Sequence, residues 1–393
     1  MSNRKSVQTM IKNIKLVENT ITNEEIDQLV NWLSSYPRLT KGSLTEEFEN
    51  NWANWLGVKY SVFVNSGSSA NLLMLYALQI SGRLKNNKVI APSVSWATTI
   101  SPLIQLGFDP ILCETDRDTL GVDIENLEEL CKTHKPSCLI IVHVLGFPNK
   151  MKEIKNICDK YDVLLLEDSC ESVGSIYEEK KTGTFGIVST FSTYYGHHFS
   201  TIEGGLICTD DFEIYELLKC IRSHGWDRDL SDSTKEKLKE DNDIDEFSSL
   251  YTFYYPGFNV RSTDLQAFIG INQLKTLTEN NQKRYENFLL YDEYIVNNYW
   301  KIKHYGVTSN FAYPVIHPLR NQIAANLKKN NIECRPLVCG NMARQPFFYK
   351  RYETSTFDFS DIVHKHGMYV PNHPNLQKQD IIDISNIIND TIC

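Results

Sequence analysis

The chain has 393 residues and a formal net charge of −9, from 40 Lys and Arg against 49 Asp and Glu. Without a long basic run, the charge pattern predicts neither nucleic-acid binding nor attachment to an acidic membrane surface. The first residues lack the apolar stretch of a signal peptide, and no apolar run approaches the ~18 residues of a membrane span. We therefore expect a cytoplasmic protein of about two domains.

Short apolar runs alternate with helical patterns through much of the chain, which predicts βαβ units and a mostly parallel sheet. After an N-terminal helix at 23–36, strands are predicted at 60–64, 88–91, 110–114, 138–144, 163–167, 188–192 and 206–209. Intervening helices are predicted at 69–79, 96–106, 124–132 and 150–161, followed by a helix at 211–222 that Asp211 would cap.

The later part of the chain changes in composition. Residues 230–246 are polar and charged, so we expect an exposed loop or helix there. A long apolar-periodic helix at 264–294 would then lead into a smaller C-terminal α/β domain. These features predict a large domain at 1–260, and a connecting helix with a small domain at 261–393.

The segment 65–71, Asn-Ser-Gly-Ser-Ser-Ala-Asn, joins a predicted strand to a helix. The amides of Gly67, Ser68 and Ser69 could face a phosphate there, with the positive end of the helix dipole behind them. Taken alone, an ordinary strand-to-helix turn with serine caps is the commoner explanation. The other motifs reverse that preference.

The segment 190–205, Thr-Phe-Ser-Thr-Tyr-Tyr-Gly-His-His-Phe-Ser-Thr-Ile-Glu-Gly-Gly, resembles the pyridoxal-phosphate site of the sugar-nucleotide aminotransferases of the DegT/StrS group. That family has a lysine between the Phe-Ser strand and Glu-Gly-Gly, and the lysine binds the cofactor covalently. Counting five residues on from Ser192 ends at His197. An imidazole cannot form that bond, but it can transfer a proton near neutral pH. The resemblance thus implies non-covalent pyridoxal or pyridoxamine phosphate, with His197 as the catalytic base.

The same resemblance implies the other cofactor contacts. Asp168, at the end of an apolar strand, would keep the pyridine nitrogen protonated. Glu171 stands where the family commonly has a glutamine, and would place a second carboxyl group near the ring hydroxyl. Trp96 would lie flat against the ring, and Ser192 would bind the phosphate together with the 65–71 turn. Considered singly, Asp168 could be a helix cap, Trp96 a core tryptophan and Ser192 a strand-edge hydroxyl.

Two further segments imply a shared site and a substrate contact. The segment 256–264 resembles the family's arm that reaches the neighbouring subunit's cofactor phosphate, so Asn259 and Arg261 imply a homodimer with shared active sites. In 223–229, Arg228 suits a diphosphate, and His224 could orient substrate hydroxyls or assist proton transfer. A surface loop held by an Arg–Asp pair is the alternative for that segment.

Within the family, the segments 196–205, 222–229 and 340–348 resemble a dehydratase branch that removes the C3 hydroxyl of GDP-4-keto-6-deoxy-D-mannose. The resemblance implies an aspartate-aminotransferase-like α/β large domain with a mostly parallel seven-stranded sheet. It also implies a nucleotide-sugar substrate, L-glutamate as the amino donor, release of ammonia, and Arg344 as a third substrate-binding residue beside His224 and Arg228.

Alternatives remain open at this level. CDP-linked 3-dehydratases also have histidine for lysine but use an iron–sulphur cluster, which needs about four thiolates; near that position this chain has only Cys220. A 4-aminotransferase of another nucleotide sugar and a non-catalytic pseudoenzyme are the other candidates. No metal is expected at His197 and His198, because adjacent side chains on an extended segment point to opposite faces. The ten scattered cysteines predict reduced, mostly buried thiols.

Overall fold

The computed structural model describes residues 13–296 and 299–393. The strands of the large domain are β1 (Tyr60–Val64), β2 (Lys88–Pro92), β3 (Asp109–Cys113), β4 (Cys138–Val142), β5 (Leu164–Asp168), β6 (Ile176–Tyr177), β7 (Lys180–Lys181), β8 (Val188–Ser192) and β9 (Gly205–Thr209). β6 and β7 form a small hairpin, and the other seven form one sheet in the order β1-β9-β8-β5-β4-β2-β3. In that sheet the β1–β9 and β9–β8 pairs are antiparallel, and the other pairs are parallel.

Helices cover both faces of this sheet. In chain order, the helices up to the end of the connecting helix are α1 (Asn23–Leu33), α2 (Ser43–Leu56), α3 (Gly67–Ile80), α4 (Ala97–Gln105), α5 (Ile124–His134), α6 (Met151–Tyr161), α7 (Phe212–Ile221), α8 (Asp232–Asp241) and α9 (Asp264–Tyr294). α3, α4 and α7 pack on one face, and α5 and α6 pack on the other. Because both faces are covered, β4 is buried along its whole length, which explains its unbroken apolar sequence Cys-Leu-Ile-Ile-Val.

The C-terminal part contains α10 (Arg320–Lys329), α11 (Pro346–Tyr349), α12 (Asp358–His366), α13 (Lys378–Ile392), β10 (Tyr313–Ile316), β11 (Arg335–Pro336) and β12 (Gly367–Val370). Its three strands form an antiparallel sheet in the order β10-β12-β11. α9 joins the two parts of the molecule: Ala267 and Leu277 pack in the large domain, whereas Phe288 and Tyr291 belong to the core around the small sheet. We propose the domain boundary at 260/261, just before this helix.

The structure confirms the predicted α/β fold and its mostly parallel seven-stranded sheet. Asp211 caps α7 as predicted, since its carboxylate accepts a hydrogen bond from the Ile214 amide at 3.1 Å. The polar insertion contains α8, none of whose residues is buried. α1 ends at Leu33 and stacks Trp32 on Phe268 of α9. No helix in the described residues is long and apolar enough to cross a membrane.

Candidate active site

A cavity of about 830 Å³ opens at the carboxyl ends of the parallel strands. Its floor is formed by the ends of β5 and β8 and the start of α3, and small-domain residues from Phe311 to Tyr369 form the opposite wall. Ligands of open α/β sheets bind at this edge, where strand ends and helix N-termini meet. The N-terminal segment 15–17 also lines the cavity, immediately before α1.

His197 lies in the loop after β8 and faces this cavity. Its ring lies 5.2 Å from the Phe311 ring, and its Nδ1 atom is buried without a hydrogen-bond partner among the described residues. Burial, reinforced by the positive charge of Arg284, lowers the pKa of His197 to about 4. The imidazole is therefore neutral at physiological pH and able to accept a proton.

His198 points in a different direction from His197. Its Nε2 atom bonds to the carbonyl oxygen of Ser309 at 2.9 Å, and the side chain is fully buried. Burial lowers its pKa well below the usual range, so this imidazole is also neutral. The two neighbouring histidines thus have separate environments, one at the cavity and one in the core.

Asp168 is 4% exposed at the end of β5, where it lines the cavity floor. Its Oδ2 atom accepts hydrogen bonds from Asn71 Nδ2 at 2.7 Å and Thr99 Oγ1 at 2.8 Å, and its Oδ1 atom accepts one from the Cys170 amide at 3.2 Å. Thr190 in turn donates to Asn71 Oδ1 at 2.6 Å. These contacts hold the carboxyl group in one orientation at the cavity floor.

Glu171 and Trp96 both line the same cavity. The Glu171 carboxyl group accepts a hydrogen bond from the Leu145 amide at 2.7 Å, yet burial raises its pKa to about 8. It is therefore mainly protonated at pH 7 and can itself donate a hydrogen bond. Trp96 stands at the N-terminus of α4, with 53% of its surface exposed although it is a large apolar side chain. An aromatic face left open to a cavity is available for stacking on a ring.

The predicted phosphate turn lies against the end of β8. A Cβ atom at Gly67 would stand 2.7 Å from the Cβ atom of Ser192, so only glycine permits this close approach. Gly67, Ser68 and Ser192 line the cavity. Ser69 does not: its amide donates to Ser66 Oγ at 3.0 Å, because Ser66 is the N-cap of α3. The prediction of a phosphate contact at Ser69 is not supported by this placement.

Arg261, His224 and Arg228 line a second, separate cavity of about 360 Å³. Arg261 donates to Ser223 Oγ, and Asn259 pairs with Ser223 through an antiparallel bridge. The Arg228 guanidinium lies over the Trp226 ring, 5.5 Å from its centroid, whereas Asp229 forms ion pairs with Lys41 and Arg222. Within one chain, these predicted residues are thus not brought together with His197.

Arg344 lines neither cavity. It forms a two-pronged ion pair with Asp361, with Nε–Oδ1 and Nη2–Oδ2 distances of 2.8 Å and 2.6 Å, and it also donates to the Ser355 carbonyl. The predicted substrate contact at Arg344 is therefore not supported, since its donors already connect the loop after β11 to α12. The sequence showed only an arginine in a motif and gave no sign of its partner at position 361.

Other cavity residues were not predicted from the sequence. Asn71 could have been found, because it lies one helical turn after Gly67 in the phosphate motif and so on the same face of α3. Arg284 reaches the cavity from α9. Thr99 lies outside the cavity lining but donates to Asp168 across 69 residues, and neither position carries a motif. Lys15 lines the cavity from the N-terminal segment.

Comparison with known proteins agrees with this geometry. The model of the DegT/DnrJ/EryC1/StrS aminotransferase family matches residues 20–389. The chain belongs to this family. It is 38% identical to GDP-4-keto-6-deoxy-D-mannose 3-dehydratase of Escherichia coli O55:H7 over 349 residues, which span 85% of this chain and 89% of that protein.

Two solved structures are similar over nearly the whole chain. GDP-4-keto-6-deoxymannose-3-dehydratase with a trapped PLP-glutamate geminal diamine superimposes with a TM-score of 0.88 at 35% identity, covering 95% of this chain and 100% of that one. A histidine-to-asparagine mutant of such an enzyme with bound GDP-perosamine gives a TM-score of 0.87 at 35% identity, covering 96% and 100%. The predicted family and fold class are thus confirmed.

Proposed function

We propose that this protein is a nucleotide-sugar 3-dehydratase that uses pyridoxal and pyridoxamine phosphate without binding them covalently. It removes the C3 hydroxyl group of GDP-4-keto-6-deoxy-D-mannose and yields GDP-4-keto-3,6-dideoxymannose. L-Glutamate supplies the amine and leaves as 2-oxoglutarate, while the nitrogen is released as ammonia. Because glutamate provides the two electrons that replace the hydroxyl by hydrogen, no other reductant is needed.

The observation that carries this proposal is His197 at the cavity. It occupies the family's lysine position, it is neutral, and it stands in the same cavity as Asp168 and Ser192. This chain cannot bind the cofactor covalently, but it retains a base and a carboxyl group, Asp168, for the ring nitrogen. Such a site is suited to deoxygenation. The 38% identical relative is named for that reaction.

The described residues fit pyridoxamine phosphate. The amides of Gly67 and Ser68 begin α3 and have no acceptor within the helix, and with the Ser68 and Ser192 hydroxyl groups they would hold the phosphate. Asp168 would contact the ring nitrogen, Trp96 the ring face, and protonated Glu171 the ring hydroxyl. When bound, the cofactor supplies an amine for the C4 ketone and a ring that withdraws electrons.

His197 would take a proton from the cofactor's aminomethyl carbon and pass one to the departing C3 oxygen. A neutral imidazole is required for the first transfer, and a proton held with low affinity favours the second. Burial of the ring disfavours the imidazolium form, so it keeps His197 neutral before the first transfer and makes the proton easier to release in the second. Asp168, fixed by Asn71 and Thr99, would hold the ring in register with His197.

The working unit is proposed to be a homodimer with shared sites. The second cavity combines basic side chains, and its arginine donors suit phosphate groups. The 256–264 segment carries Arg261 and resembles the family's intersubunit arm. Arg261 and Asn259 would reach the partner's cofactor phosphate, while His224 and Arg228 would bind the nucleotide sugar.

A substrate panel tests the assignment. The protein, loaded with pyridoxal phosphate and given excess glutamate, is incubated with GDP-, CDP- and dTDP-linked 4-keto-6-deoxy sugars, and the products are identified by mass spectrometry. Loss of one oxygen from the GDP-linked sugar, without added iron or NAD(P)H, is the expected result. A 4-amino sugar would identify an aminotransferase, preference for CDP would change the substrate, and no turnover of any sugar would favour a pseudoenzyme.

A further inference from the structure

Arg284 is a buried cation at the cavity wall with unusual partners. Only 3% of its surface is exposed. Its guanidinium donates to carbonyl oxygens of Asn372 at 2.8 Å, Phe311 at 3.1 Å and His197 at 3.3 Å, and its Nε atom is buried without a hydrogen-bond partner. In the described part of the chain, Arg284 forms no ion pair with a carboxylate, although arginines buried elsewhere, such as Arg222 with Glu49, do so.

Such an arrangement is costly for folding. A buried charge is normally paired, and one compensated only by carbonyl dipoles keeps much of its desolvation penalty. Burial accordingly lowers the pKa of Arg284 to about 10, which still leaves it charged at neutral pH. The hydrogen bonds of the Arg284 guanidinium join the segments that flank β10 and β12 of the small domain to the backbone of His197.

Several other titratable groups line the cavity, but Arg284 is the charge that lowers the pKa of His197. Burial raises the pKa of Glu171 to about 8 and that of Tyr369 to about 12, and it raises the pKa of the Cys170 thiol well above its usual range, so all three are mainly uncharged at neutral pH. Asp168 accepts hydrogen bonds from Asn71, Thr99 and Cys170. His198 is buried next to His197, and the other titratable groups that line the cavity are Lys15, Tyr194, Tyr195, Glu203, Glu333, Arg335, Cys339 and His373.

We propose, building on the dehydratase function above, that Arg284 is a positioning residue for the base. Its guanidinium fixes the His197 peptide against the small domain, and its positive charge opposes addition of a proton to the imidazole. The base is then unprotonated when substrate arrives, and the proton that it takes passes readily to the departing hydroxyl. Burial and the Arg284 charge are the two effects that lower the pKa of His197, whereas a backbone hydrogen bond with Cys170 raises it.

The test is an NMR titration of the cofactor-free protein labelled with ¹⁵N-histidine, in which the His197→Asn variant assigns the His197 signal. In Arg284→Gln, the pKa of His197 should rise by about one pH unit or more, the effect expected when a nearby like charge is removed. Lys283→Gln removes a positive charge from the neighbouring position of α9, where Lys283 pairs with Glu279, and should leave the titration unchanged. An unchanged His197 titration in Arg284→Gln would overturn the proposal.

Arg284→Lys separates charge from geometry and decides the question if the glutamine variant does not fold. Lysine retains the charge but not the fork of donors, so the pKa of His197 should stay near the wild-type value while turnover falls at least about tenfold. A His197 pKa that rises in Arg284→Lys by about one pH unit, or full turnover in that variant, would contradict the assigned role. If the wild-type protein shows no turnover, the dehydratase function is refuted but the effect of Arg284 on His197 is not, because the titration needs no substrate.

Discussion

At the scale of single residues, the exchange of lysine for histidine at position 197 changes what the site can do. A lysine would bind the cofactor and compete with its release, whereas an imidazole can only move protons. We predict that His197→Asn retains pyridoxal phosphate but loses at least about 100-fold in 3-deoxygenation, the usual contribution of a general base. Absorbance and product assays measure the two effects separately.

The reverse exchange provides the control. His197→Lys should give a protein from which borohydride treatment yields a pyridoxyl group on residue 197, detectable by peptide mass spectrometry. Wild-type protein should yield none, even though Lys15 lines the cavity. A pyridoxyl adduct on Lys15 of the wild type, or near-normal deoxygenation by the asparagine variant, would remove His197 from the central role.

Glu171 gives a prediction about stability and pH. Its carboxyl pKa rises from 4.5 to about 8 on folding, so between these values the folded protein keeps a proton that the unfolded chain releases. Wild-type stability should therefore fall, relative to Glu171→Gln, as pH rises from about 5 to about 8, by up to roughly 1.4 kcal/mol per pH unit. Urea unfolding of both cofactor-free proteins checks this. Parallel stability curves would mean that Glu171 is ionised in the folded state.

Motif spacing predicted the residues that stand at strand ends. Asp168 and Ser192 each close a buried strand, so a sequence pattern sufficed to place them at one edge of the sheet. Thr99 and Arg284 were not predictable, because their contacts depend on how α4 and α9 pack and not on local sequence. The ion pair of Arg344 was not predictable for the same reason, since its partner Asp361 lies on a helix that no motif connects to it.

At the scale of elements, the site depends on how closely α3 approaches β8. Gly67→Ala would bring a Cβ atom to 2.7 Å from the Ser192 Cβ atom, so the start of the helix must move. We expect at least about a tenfold loss of pyridoxal-phosphate affinity, since the phosphate-binding amides move with it. Ser69→Ala is the matched control, because Ser69 lies outside the cavity, and it should bind normally. Equal affinities of Gly67→Ala and wild type would argue against this phosphate site.

The seven strands of the large sheet were predictable because apolar runs such as β4 are buried on both faces. For the small domain, the sequence predicted only an α/β fold and none of the individual strands. Its strands β10, β11 and β12 have four, two and four residues, too few for a periodic pattern to identify. Helix caps were easier, as Asp211 shows, because the cap residue and its amide partner lie within one turn.

At the scale of the whole molecule, the two cavities of one chain make a prediction about assembly. If Arg261 completes the partner's site, His197→Asn and Arg261→Ala chains, each inactive alone, should recover activity when subunits exchange. Random mixing of equal amounts makes half of the dimers mixed, each with one intact site, so about a quarter of wild-type activity is expected. If tagged chains show that subunits exchange but activity does not recover, Arg261 acts in the active site of its own subunit and not in the partner's.

The central claim is that the amine of glutamate is used for deoxygenation and is not transferred to the sugar. Incubation of the protein with GDP-4-keto-6-deoxymannose, pyridoxal phosphate and ¹⁵N-labelled L-glutamate tests it, with ammonia and the nucleotide sugar both analysed by mass spectrometry. We predict one labelled ammonia for each 3-deoxy sugar and no label on the sugar. A ¹⁵N-labelled 4-amino sugar that retains its C3 oxygen, without labelled ammonia, would contradict the account.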